Sequence, residues 1–205
     1  MMKAYSIKLR RLFVGIGLLL AFGVSAADPV VDPFSMNIEQ NLATPAVNEK
    51  HSVAVANAMS LLTRTLKQAG FDAQGVRKGE VTMVSIPCRS LFAPNSTQLK
   101  DSGKQLLAKL VPYIKRNDKF KVVMAVHSDN TGDDIYAERI TTERANAVDE
   151  YFAPSFGGES PIIPYGLGSE PVAPNSGVAN REKNRRVEIY FVPTKSFIDN
   201  ARKKK

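Results

Sequence analysis

The chain has 205 residues, 28 basic and 20 acidic, giving a formal net charge of +8 and a pI near 9.6. Hydrophobic residues make up 43%, enough for a real core, so the chain does not read as disordered throughout. A single cysteine excludes a disulfide framework and a four-ligand structural zinc site, and two histidines leave little for a His-rich metal centre. No cofactor or metal is expected.

The charge is unevenly placed. Residues 1–26 carry Lys3, Lys8, Arg10 and Arg11 with no acid, and Arg202, Lys203, Lys204 and Lys205 close the chain. Residues 27–201 then balance at 20 basic and 20 acidic side chains. The basic pI is therefore no sign of nucleic-acid binding.

In chain order, the basic start leads into an apolar stretch, 12–24, and then Ser25, Ala26 and Ala27. This is the three-part pattern of a secretory signal over 1–26, with a cut before Ala27. An uncleaved anchor is the alternative, although about 15 apolar residues are short for a span. The signal lacks a cysteine near its end, so it offers no lipoprotein acceptor. Cys88 is expected to be a packed free thiol. Residues 27–46, with Pro29, Pro33 and Pro45, read as a linker. Residues 47–80 read as a helical extension. Its helix, 47–69, carries Val55, Met59, Leu62 and Leu66 on one stripe and stops at Gly70. That stripe faces either the domain or a partner protein of the envelope.

From residue 81 the pattern changes. A β-like run, 81–86, ends at Pro87, and a loop, 88–98, leads to a helix over 99–115. Residues 120–126 (FKVVMAV) read as an interior strand, followed by a polar loop and a second helix over 137–152. Residues 153–180 are rich in Pro and Gly around a short apolar run, 162–165. Residues 187–192 alternate as a last strand. The order βαβαββ is an α/β fold, a small mixed sheet with helices packed on it. The tail 193–205 is expected to fray.

Ile140, Arg144 and Val148 recur every four residues, which sets Arg144 within the apolar stripe of its helix. A guanidinium turned towards a core needs an anion. Asp129, in the loop after the interior strand, is the candidate. Two readings stand: a structural Asp129–Arg144 ion pair, or a split site in which a carboxylate takes an ammonium and a guanidinium takes a carboxylate. Asn184-Arg185-Arg186 precedes the last strand. There Arg186 shares a face with Glu188, either as a solvated charge pair or with one Arg held against an acidic loop. His127 reads as a loop-orienting group, and Phe92 as a core plug or pocket wall. Hydrolase elbow, zincin, Cys-x-x-Cys and Walker patterns are all missing.

In order along the chain stand Phe92-Ala93-Pro94-Asn95 with Leu99, Val126-His127-Ser128-Asp129 with Gly132, and Arg144-Ala145. Gly166-Leu167-Gly168 with Pro171 and Asn184-Arg185-Arg186-Val187-Glu188 follow. Over 81–192 this series resembles the OmpA-like peptidoglycan-binding domain of outer-membrane proteins and peptidoglycan-associated lipoproteins. The sequence departs from the family pattern at Val126, usually Gly, and at Ala137, usually Asn. The resemblance implies an OmpA-like sandwich and non-catalytic binding of cell-wall peptidoglycan in the periplasm. In it, Asp129 and Arg144 hold the zwitterionic end of the stem-peptide diaminopimelate. Phe92, Asn95, Asn130 and Thr131 complete the binding set, with His127, Asn184 and Arg185 in support. A wall-anchoring part of an ion-driven motor or transport complex is the alternative role.

Overall fold

The structure, a computed structural model, describes residues 32–46, 49–116, 118–170, 173–174 and 176–203. The expected export signal lies outside the described residues. A 3-10 turn at Pro33–Ser35 leads into helix α1, Ile38–Leu42. Asn37 caps α1 reciprocally with Gln40, each side chain accepting from the other residue's backbone N–H at 2.9 Å. Helix α2, Glu49–Gln68, follows, with Val55, Met59, Leu62 and Leu66 all buried. It ends on Gly70 at φ +91°, where the Phe71 N–H returns to the Leu66 carbonyl and the Gly70 N–H to that of Lys67. Only glycine adopts that left-handed stop without cost.

Strands β1, Asp72–Val76, and β2, Val81–Pro87, form an antiparallel hairpin. Then come helices α3, Cys88–Leu91, α4, Asp101–Ala108, and α5, Val111–Ile114, and strand β3, Phe120–Val126. Helix α6, Asp134–Phe152, strand β4, Ile162–Gly166, helix α7, Val178–Asn184, strand β5, Arg186–Pro193, and helix α8, Lys195–Lys203, complete the order. The sheet runs β1-β2-β5-β3-β4, with β3 and β4 parallel and the other neighbours antiparallel. It is the expected mixed α/β sheet, with one strand more. β1 escapes the sequence pattern because DAQGV buries only Ala73, as suits an edge strand.

Alternation on β5 divides the molecule. Val187, Ile189 and Phe191 face the large core beneath the helices. Val192 faces the other side, in a small core with Val81, Val123, Ile163 and Leu42. Residues 32–46, expected as a linker, thus lie on this second face. The Asn41 amide donates to the Pro33 carbonyl and the Tyr165 hydroxyl, both at 2.6 Å, and its oxygen accepts from Lys121 Nζ at 3.2 Å. Burying Leu42 there contributes about 2 kcal/mol. The stripe of α2 is likewise spent on the chain's own core rather than left for a partner.

Two further differences from the sequence reading have local causes. The helix expected over 99–115 is broken into α4 and α5, since Pro112 supplies no N–H to the helix ladder. The tail expected to fray forms α8 instead. Ile198 is 1% exposed, and the Phe197 ring lies 5.7 Å from that of Phe120. Among the described residues, no helix is long and apolar enough to cross a membrane.

Candidate functional site

The site forms where β3 ends. The His127 N–H donates to the Arg186 carbonyl at 2.9 Å and the Ser128 N–H to the Gly168 carbonyl at 2.7 Å, so two neighbouring segments fix the emerging loop. Asp129 comes next and is 2% exposed. Its Oδ1 accepts from the Thr131 N–H at 3.0 Å, a local turn that aspartate favours. Its Oδ2 accepts from Arg185 Nη1. Asp133 then caps α6, accepting from the Tyr136 N–H at 2.6 Å.

On α6, Ile140, Arg144 and Val148 are buried together, as their spacing requires. Gly166 lets the helix lie this close: a Cβ there would stand 2.4 Å from the Thr142 nitrogen. The Arg144 guanidinium carbon lies 5.0 Å from the centre of the Phe92 ring, and Nε donates to the Ser96 carbonyl at 3.0 Å. That carbonyl is presented by a pinched loop closed by a bridge between Phe92 and Leu99. At its tip Asn95 holds φ +54°, a left-handed conformation that Asn accepts better than most residues. The Tyr136 hydroxyl donates to Asn95 Oδ1 at 3.2 Å, tying α6 to the loop.

Arg185 enters from the end of α7. It gives one arm to Asp129 and the other to Glu182, three residues earlier on that helix. Glu182 Oε2 also meets Arg89 Nη1 at 3.5 Å. These groups surround a cleft of about 440 Å³. Of the residues expected to bind, it gathers Phe92, Asn95, Asp129, Thr131 and Arg144, with Arg185 beside them. Asn130 is exposed and does not line it. The Asp129–Arg144 ion pair of the structural reading is not formed: Asp129 is paired with Arg185. Arg144 has no carboxylate partner among the described residues.

His127 and Asn184 lie away from the cleft. His127 Nε2 meets Glu188 Oε2 at 3.0 Å, and the same oxygen accepts from the Tyr190 hydroxyl at 2.5 Å. Arg186 Nε donates to Glu188 Oε1 at 2.7 Å, both side chains being 8% exposed, so this pair is buried and not solvated. Burial alone would raise the Glu188 pKa, but hydrogen bonds from His127, Tyr190 and Arg186 outweigh it and hold the carboxyl at about 2. Asn184 grips the backbone of Ala173 through both amide atoms, at 2.9 and 3.0 Å.

Sequence reasoning missed Tyr136, Glu182, Arg89 and Lys100 on the cleft wall. The spacing of Glu182 and Arg185 would have shown their pairing, had α7 been legible behind its Pro- and Gly-rich approach. Cys88 also lines the cleft, 3% exposed, with Sγ 3.8 Å from the His127 carbonyl. Burial pushes its thiol up to about 11 against the opposing pull of Arg144, so it stays protonated near neutral pH. Among the described residues, no three His, Cys, Asp or Glu side chains are placed to hold a metal ion. What the cleft offers is one buried carboxylate and one buried guanidinium, the complement of a zwitterion.

The model of the OmpA family matches residues 91–185. The outer-membrane lipoprotein YfiB of Pseudomonas aeruginosa is 31% identical over 125 residues, 60% of this chain and 72% of that one. The probable lipoprotein YiaD of Escherichia coli is 29% identical over 128 residues, 62% of this chain; the chain spans only 58% of its length. Among solved structures, the cell wall anchor of the T6SS from Pseudomonas aeruginosa superposes with a TM-score of 0.55 at 26% identity, over 66% of this chain and 96% of that one. A putative MotB-like protein from Desulfovibrio vulgaris shares the fold, with a TM-score of 0.58 at 23% identity over 69% of this chain and 94% of that one.

Proposed function

The chain belongs to the OmpA family, and from that premise we propose that it binds cell-wall peptidoglycan without catalysis, through the diaminopimelate of the stem peptide. It is a protein of the cell envelope, as its outer-membrane relatives are. Asp129 accepts from the ammonium at the zwitterionic end of the diamino acid. Arg144 donates to the carboxylate of that end, and residues 32–203 act as one binding unit.

One observation carries this reading. Arg144 is buried against Phe92 with no carboxylate partner among the described residues, on the same cleft as the buried carboxylate of Asp129. A guanidinium desolvated to that degree is matched by a ligand carboxylate. The reading as a binder rather than an enzyme is supported by the other reactive groups. The Cys88 thiol is held protonated, and His127 does not line the cleft. Similarity to the cell wall anchor supports a tethering role, with repeated stem peptides lending avidity to a weak single site.

Each charged hydrogen bond is worth about 1.5–3 kcal/mol. Asp129→Ala or Arg144→Ala therefore weakens binding about tenfold to a hundredfold. Sedimentation of the purified chain with isolated sacculi tests this, with circular dichroism to verify folding. Folded variants that sediment like wild type overturn the assignment. Soluble muropeptides released from the sacculi overturn the non-catalytic reading.

A further inference from the structure

The charges around the cleft do not cancel. Asp129, Arg185, Glu182 and Arg89 form a chain of alternating sign in which each acid meets a guanidinium. Two cations on the lining are left over. One is Arg144. The other is Lys100, which has no carboxylate partner among the described residues. Lys100 stands half-buried at the start of α4, and its Nζ donates to the Arg89 carbonyl at 2.5 Å. An ammonium has three N–H donors, so that bond leaves two for a ligand.

A zwitterion held by Asp129 and Arg144 adds no net charge. It satisfies Arg144 and leaves the cleft cationic at Lys100. We propose that Lys100 is a second anion clamp, so that the cleft selects a peptide with at least one carboxylate beyond the zwitterionic end. This inference rests on the peptidoglycan reading and deepens it. The cleft would discriminate between stem peptides by whether their outlying carboxylates are free or amidated.

Two probes separate the possibilities by calorimetry on the purified chain. One is the tripeptide N-acetyl-L-alanyl-γ-D-glutamyl-meso-diaminopimelate. The other is the same peptide with both carboxylates outside the zwitterionic end amidated. At low ionic strength the free acid binds about tenfold more tightly than the amide, and the preference shrinks as salt is added. In Lys100→Gln the ratio of the two affinities falls to about one, and Lys100→Arg restores it. A Lys100 that merely closes α3 through the Arg89 carbonyl would shift both affinities together and leave the ratio as it was. Equal binding of the two probes to wild type, or a ratio unmoved in Lys100→Gln, overturns the proposal. If neither probe binds wild type, the peptidoglycan reading itself falls and takes this inference with it.

Discussion

Arg185 and Arg186 are neighbours in sequence, yet they serve two charge clusters of opposite character. Arg186 points beneath the sheet, where Glu188 accepts from it and from Tyr190 and faces His127. That carboxylate is fully taken up, and the cluster is 8% exposed or less at Arg186, Glu188 and His127. Arg185 points into the cleft, where Asp129 and Glu182 share it, and Arg144 stands apart with no acid beside it among the described residues. Both clusters hold buried charge. What separates them is a buried guanidinium that meets no acid among the described residues.

Breaking the closed cluster has the largest expected effect. Glu188→Ala leaves Arg186 buried and unpaired and costs about 3–5 kcal/mol of stability, read by urea denaturation. The same carboxyl sets an acid limit. Its pKa lies below the usual 4.5, at about 2, so its stabilisation is full above pH 4.5 and is lost as pH falls towards 2. Unfolding curves taken between those values lose stability in wild type, and Glu188→Gln flattens that decline. On the same face, Leu42→Ala costs about 2–3 kcal/mol, because Leu42 is buried in the small core. A loss near zero would mean that this segment contributes nothing to the fold.

On the cleft the order reverses, and binding moves more than stability. Arg144→Ala lowers affinity for sacculi about tenfold to a hundredfold. Arg185→Gln has the smallest effect, about 1 kcal/mol of stability, because its guanidinium is part-exposed and the Gln amide keeps a donor for the buried Asp129 carboxylate. A larger affinity loss in Arg185→Gln than in Arg144→Ala would reverse the roles assigned to the two arginines.

The sequence made the cleft legible to different depths. Arg144 was readable because four-residue spacing with Ile140 and Val148 sets a guanidinium on an apolar stripe. Asp129 was readable because it follows a nearly continuous apolar strand. The partnership of Asp129 with Arg185 was legible only as one arginine held against an acidic loop, and the residue pair itself was not, because it joins residues 56 apart. Helix α7 is polar and lies behind a Pro- and Gly-rich approach, so no apolar period announces it. Strand β1 and residues 32–46 were missed for a related reason. Each buries one or two side chains against a sheet formed elsewhere, and so short a pattern carries no period of its own.

The clamp itself is tested most directly by a crystal structure of the chain soaked with free meso-diaminopimelate. One zwitterionic end is expected in the cleft, its carboxylate on the Arg144 guanidinium and its ammonium on Asp129. A ligand seated in the cleft but touching neither side chain, or bound elsewhere on the molecule, would contradict it.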